Sequence, residues 1–476
     1  MCWAIASPVG SSPDDDFHLA SAWCGLGDRP GLCEAAPGHP NERMVPYHVA
    51  CNPVYPSKSK LCVEGTTSAS GMITTDRGNF VGSYPPVYYA FMGIFASTNL
   101  EVSAIVMRVV NALLFVCLTS ALYLLLGGSR RRTLIWMWMI SLVPLGTFLI
   151  ASNNPSSWAV IAGGSLWLTT LGYLEAEGTR RWPFGILAAV FTLMGAGARA
   201  DAAIYGVVAI GIAFVLTAER TRRFWVKAVL PIALVFASIA FYLTSRQSSV
   251  SESGLSAHHD AVVTNVLALI WNNFIQIPNL WAGALGTWNL GWLDVAMPAA
   301  VWTLAILAFG AMTFVGLTSH SARKLIALVL ALGMLVAVPS WVLLQSRALV
   351  GEEVQPRYVL PLLILFAGIA LLQAGPRAIV FTRLQIAAIA LAVCVAGVVA
   401  LHATIQHYVS GASAYDWNLN HSVHWWWSVA ASPMVVWLIG GVAFAAAVVI
   451  SLREVTIGSR RTSQDDAVVG AVPITR

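Results

Sequence analysis

Near the start of the chain, the stretch SPDDDFHLASAWC sets three carboxylates, Asp14, Asp15 and Asp16, just ahead of His18. Residues of these types do proton chemistry. A carboxylate within hydrogen-bond reach of an alcohol takes its proton as the oxygen attacks. Three like charges in a row repel, so a solvated turn gains little from them. A helix beginning here accounts for one acid or two, because carboxylates favour the positive end of the helix dipole. If 17–24 is helical, Asp14 and His18 share a face at i, i+4. The third acid stays unexplained by capping.

The elements that hold these acids are membrane helices. The 476 residues are 57% hydrophobic and 10% charged, with a mean hydropathy of +0.71. A soluble surface of this size needs far more charge. Apolar runs recur from Ala104 to Ile450, each near the ~20 residues that cross a ~30 Å hydrocarbon core. The alternating ~10-residue strands of a membrane barrel are missing. The fold class is an all-α polytopic membrane protein of about 11 transmembrane helices: 104–127, 133–151, 157–174, 183–198, 202–217, 227–244, 299–317, 322–343, 357–374, 384–402 and 433–452. The net charge of +5 comes from short inter-helix loops. It therefore reads as topology and not as a nucleic-acid surface.

Every second loop is basic: Arg130 to Arg132, Arg180-Arg181, Arg220 to Lys227, Arg323-Lys324, Arg377 with Arg383, and Arg453 to Arg461. Basic loops stay cytoplasmic. That places residues 1–103 outside as a first extracytoplasmic loop, 104–452 in the bilayer with outer loops 245–298, 344–356 and 403–432, and 453–476 inside as a polar tail. The expected location is the cell membrane. MCWAIASPVG is too short to span and has no charged leader, so either the first span translocates the segment or a further N-terminal helix precedes it; we expect the latter.

Cys24, Cys33, Cys51 and Cys62 all fall in this first loop. Four thiols in an oxidising compartment read as two disulfides. Of three connectivities, Cys24–Cys33 with Cys51–Cys62 closes the shortest loops. A zinc site lacks its CxxC pair.

Other polar groups gather at the same side. Loop 245–298 carries His258-His259-Asp260, read as a solvated loop and not a metal site, and Trp271, Trp281, Trp288 and Trp292, which suit interfacial helices on the membrane or over a cavity. Arg199 and Asp201 stand two apart between short spans, as an ion pair or a functional site. Arg108 and Asn111 within the first span must face the bundle interior, since exposure to lipid is costly.

SPDDDFHLASAWC, YPPVYY, RVVNALL, SNNPSSW, GWLD and QPRYVLPLL occur in this order along nearly the whole chain. Together with the cysteine layout they resemble a multi-pass actinobacterial membrane family catalogued as domain of unknown function 2142, which looks related to the GT-C class of membrane glycosyltransferases. The resemblance implies transfer of a sugar from a polyprenyl-phosphate carrier to a glycan or glycolipid acceptor on the outer face, with inversion and an acid of the first outer loop as base. By it, Asp14 or Asp15 is the catalytic base, Asp16 and His18 support it, and Gln355 with Arg357 binds the donor phosphate. Arg199, proposed on position alone, is an alternative. No cofactor is required by the sequence; a divalent metal (Mg or Mn) has Asp16 as a conceivable ligand. Family members carry a membrane helix ahead of the acids, which this chain does not.

Two other classes compete. A flippase for a lipid-linked precursor wants mid-membrane charge and inverted repeats, and neither is visible. A non-catalytic envelope-assembly protein needs no acid cluster.

Overall fold

The structure, a computed structural model, describes residues 1–51, 71–245, 265–374, 379, 381–412 and 416–469, with the backbone alone for 455–469. The described part of the first 100 residues builds a small layer of short helices and strands. α1 (Asp15–Trp23) and α2 (Tyr47–Ala50) flank an antiparallel sheet of β1 (Glu34–Ala35), β2 (Arg43–Pro46) and β3 (Met72–Thr75), in the order β1-β2-β3 with Arg43 opposite Thr75. α3 (Val87–Gly93) follows Pro85-Pro86, with Pro86 as its N-cap. This sheet corrects the all-α expectation for the first loop. Its strands are two to four residues long, too short for a two-residue alternation to register in the sequence.

The remaining helices are α4 (Leu100–Leu125), α5 (Gly128–Ser141), α6 (Leu145–Ile150), α7 (Ser156–Glu175), α8 (Arg181–Ala198), α9 (Ala200–Thr217), α10 (Arg222–Thr244), α11 (Val266–Ala282), α12 (Ala299–Gly316), α13 (Ala322–Ser346), α14 (Pro356–Ala370), α15 (Arg383–Ser410) and α16 (Pro433–Val469). Local signals start several of them. Asn99 accepts from the Val102 amide at 3.1 Å, Ser321 from that of Lys324, and Thr382 with Gln385 forms a capping box, each satisfying helix donors that have no partner within the helix.

Among the described residues, eight helices are long and apolar enough to cross a membrane. Three of the eleven expected spans differ. The run 133–151 is interrupted at Pro144, whose missing N–H cannot continue a helix, and yields α5 and α6. α7 is long enough, but Ser, Thr and Gly dilute its apolarity and its side chains are buried almost end to end by neighbouring helices. α14 has 15 residues and is likewise buried. These two form the centre of the bundle: at Gly163 an added Cβ would come within 2.6 Å of Pro361 on α14, the close backbone approach that small residues permit in membranes. The expected polar tail begins as a continuation of α16.

The basic loops collect at one end. Lys324 donates to the carbonyls of Gly316, Ser319 and Leu372. Lys227 donates to those of Leu174 and Ala176, and Arg323 to that of Ala218. Arg130 pairs with Glu175 at 2.6 Å. These cations cap helix C-termini, where the dipole favours positive charge. The small sheet, α1 and the Asp14–Arg357 pair lie at the opposite end.

Candidate functional site

Pro13 ends an irregular N-terminal segment and Asp14 turns it into α1. Asp14 is the N-cap, in the left-handed region at φ 56°, a conformation uncommon outside glycine and best tolerated by Asp and Asn. Its carbonyl accepts the first helical bond, from His18 N at 2.9 Å. The three acids then diverge.

Asp14 stays partly open, its side chain 35% exposed. Its Oδ2 accepts from Arg357 Nη2 at 2.8 Å, and its Oδ1 lies 3.9 Å from Arg77. Burial alone would raise its carboxyl; Arg357, His18 and Arg77 outweigh it and hold Asp14 below the usual carboxylate range. It is ionised at neutral pH.

Asp15 is fully buried. Gly10 N donates to its Oδ2 at 2.7 Å, and Arg108 Nη2 stands 3.8 Å away. Burial pushes its carboxyl up to about 6 against the pull of Arg108. Asp16 is committed to Arg77 through two bonds, at 2.5 and 3.1 Å. His18 is buried, with Nδ1 2.8 Å from Tyr89 Oη, and burial pushes its imidazole down to about 3, so it is neutral.

Arg357 comes from the first turn of α14. Gln355 is the N-cap and Pro356 the first helical residue, a position where the fixed φ of proline suits helix entry. A cation there opposes the dipole, so Arg357 and the positive end of the helix together make a strongly positive spot. Asp14 sits against it. The Arg357 guanidinium lies 4.9 Å from the Tyr358 ring centroid, and Arg199 lies 4.8 Å from the same ring and 5.6 Å from Tyr84. Arg199 itself forms a two-pronged pair with Asp201 at 2.8 and 3.0 Å, which is the ion-pair alternative for these residues. Arg357 Nε and Nη1 are buried without a protein acceptor.

A small, mainly apolar cleft opens beside Arg357, lined by Pro13, Phe148, Trp288, Leu290, Gln355 and others. Gln355 and Arg357 line this cleft, and Asp14 bonds to Arg357 beside it. Asp15 is excluded by burial, and Arg199 joins only through the tyrosines.

Several of the polar residues bond to the backbone of residues 4–13. Arg108 donates to the carbonyls of Ala4, Ser7 and Pro8 at 3.2, 2.7 and 2.8 Å. Trp427 donates to Ile5 O at 2.9 Å and Trp292 to Gly10 O at 2.8 Å. Asn154 donates to Pro13 O at 2.8 Å. Asn111 ties this layer together, accepting from Trp158 and donating to Ser152 O. The expectation that Arg108 and Asn111 face inward is met: both are about 1% exposed or less. Over residues 1–366, the sequence matches the model of a family described as predicted membrane protein, DUF2142. The chain belongs to the DUF2142 family. No curated protein and no solved structure gives a match.

Asp14 and Asp16 are engaged by arginines in this structure. Three guanidinium groups stand close by, and no cluster of three or more metal-ligating side chains exists among the described residues. Asp16 is an arginine ligand. Cys24 and Cys33 form the expected disulfide. Cys51 is also disulfide-bonded; Cys62, its expected partner, and His258-His259-Asp260 lie outside the described residues.

Sequence reasoning missed Arg77, Tyr84, Tyr89 and Tyr358. Tyr84 and Tyr89 lie in YPPVYY and Tyr358 in QPRYVLPLL, stretches that carry the family resemblance and gave no role to the tyrosines. Arg77 sits at the end of β3 in a stretch with no periodic pattern; its only signal was an isolated cation in the same loop as three acids.

Proposed function

We propose that this protein is a membrane glycosyltransferase that moves a sugar from a polyprenyl-phosphate donor to a cell-envelope glycan or lipid acceptor, at the outer face of the cell membrane. The observation that carries this reading is Asp14: an ionised, partly exposed carboxylate in contact with Arg357, beside an apolar cavity. In the reaction, Asp14 takes the proton of the acceptor hydroxyl as its oxygen bonds to C1 of the sugar from the face opposite the phosphate. The C1–O bond to phosphate breaks, and the polyprenyl phosphate leaves with the electron pair. Arg357, whose fork matches phosphate geometry, stabilises the growing charge. Between the two acids considered as base, Asp14 is favoured because Asp15 has no exposed atom to offer.

Envelope glycans and lipid-linked sugars of a deletion strain, complemented with wild type or Asp14→Asn, test this. Asp14→Asn protein that inserts normally is expected to leave the glycan missing and the lipid-linked sugar accumulated on the outer leaflet, with transfer reduced on the order of 10²–10⁴-fold. Full complementation by Asp14→Asn rejects the reading, and accumulation on the inner leaflet points instead to a flippase.

A further inference from the structure

Arg357 is only half used. Its Nη2 donates to Asp14 Oδ2 and to Tyr358 Oη, both at 2.8 Å, while its Nε and Nη1 are buried with no protein acceptor. An unsatisfied buried donor costs roughly 1–3 kcal/mol, more on a charged group, and here two of them sit on a guanidinium that lines the cavity. A guanidinium fork at a helix N-terminus is a seat for a multidentate anion. Asp14 reaches one prong of it only.

We propose that Asp14 is the resident occupant of this anion seat, and that a phosphate ester carried on an apolar chain displaces it. The inference rests on the donor reading given above and adds its regulation: one residue serves first as plug and then as base. The phosphate offers several oxygens to Nε, Nη1 and Nη2, whereas the carboxylate meets Nη2 alone. Displaced, Asp14 loses its nearest cation. Arg77, 3.9 Å away, remains its closest positive neighbour, and that arginine is already committed to Asp16. A carboxylate deprived of a paired cation becomes more basic. The acid is therefore held inert until the donor is seated, which keeps the site from abstracting protons with no sugar in place.

The test uses the full chain in detergent, with fluorescence of the tryptophans (Trp288 lines the cavity) reporting binding of farnesyl phosphate, farnesol and inorganic phosphate. Asp14→Asn, which keeps the size and removes the charge, is expected to bind farnesyl phosphate about tenfold tighter than wild type, the scale of exchanging a charged for a neutral hydrogen-bond competitor. Farnesol binding is expected to stay within twofold, as is farnesyl phosphate binding by the exposed-acid control Asp28→Asn. Arg357→Gln is expected to abolish the preference for farnesyl phosphate over farnesol. Farnesyl phosphate binding that depends on Arg357 but does not tighten in Asp14→Asn overturns the plug and leaves the donor reading standing. Loss of any Arg357-dependent preference in wild type and Asp14→Asn alike overturns both. Equal tightening for inorganic phosphate alone overturns the requirement for an apolar chain.

Discussion

The three consecutive aspartates have three environments, and each makes its own prediction. Asp15 is the one whose protonation couples to folding. Its carboxyl is pushed up to about 6 in the folded protein, against about 3.9 in an unfolded chain. The native state thus retains a proton that the unfolded state has released, so this contribution is complete below pH ~4 and is lost as the pH rises through 6. Asp15→Asn is expected to flatten that decline, worth roughly 1–3 kcal/mol, in the apparent Tm of detergent-solubilised protein scanned from pH 4 to 7. An unchanged slope contradicts the assignment. Asp16 depends on Arg77 instead. Arg77→Ala leaves a nearly buried carboxylate unpaired and is expected to destabilise the α1–β3 contact by about 2–4 kcal/mol, seen as faster proteolysis of the first 100 residues. That these acids matter was legible from their repetition. Which of them stays reachable was not, because it depends on Arg108, Arg77 and Arg357, the last of them 343 residues away from Asp14.

The helical elements were mostly legible, since a long apolar run has few alternatives in a membrane. The misses share a cause. α7 and α14 are enclosed by protein and so escape the lipid constraint that makes a span recognisable, and α5–α6 is broken by a single proline. Arg108 and Asn111 did announce themselves, because a charge or amide in an apolar run demands a partner. The partner turned out to be backbone: Arg108 binds three carbonyls of the N-terminal segment. Arg108→Leu is expected to accelerate amide hydrogen exchange of residues 4–11 at least tenfold, with the basic-end helices unaffected; unaltered exchange there removes Arg108 from this role. The loop that delivers Trp292 is equally constrained. Gly291 has φ 63°, and a Cβ added to it would fall 2.6 Å from Asp294 Oδ1 and from Tyr408 Oη. Gly291→Ala is expected to cost about 2 kcal/mol or more in stability and to loosen the Trp292–Gly10 bond.

At the scale of the whole molecule, charge is segregated end to end. The arginines and lysines that cap helix C-termini share one end, while the Asp14–Arg357 cluster occupies the other. If the basic end is cytoplasmic, a thiol reagent that cannot cross membranes should label Thr179→Cys only after the cells are opened, and Asn289→Cys in intact cells; the reverse pattern turns the site inward. The alternation of loop charge foretold this segregation, but not the traffic of the first thirteen residues across it. Trp427 holds Ile5 from 422 positions away, and Trp292 holds Gly10 from 282. Such sequence-distant contacts form late, because long loops must close first. During synthesis, then, the segment that leads into Asp14 is not fully anchored until the chain has been made as far as Trp427. A half-made chain thus carries its three acids before all the contacts that order the segment ahead of them exist.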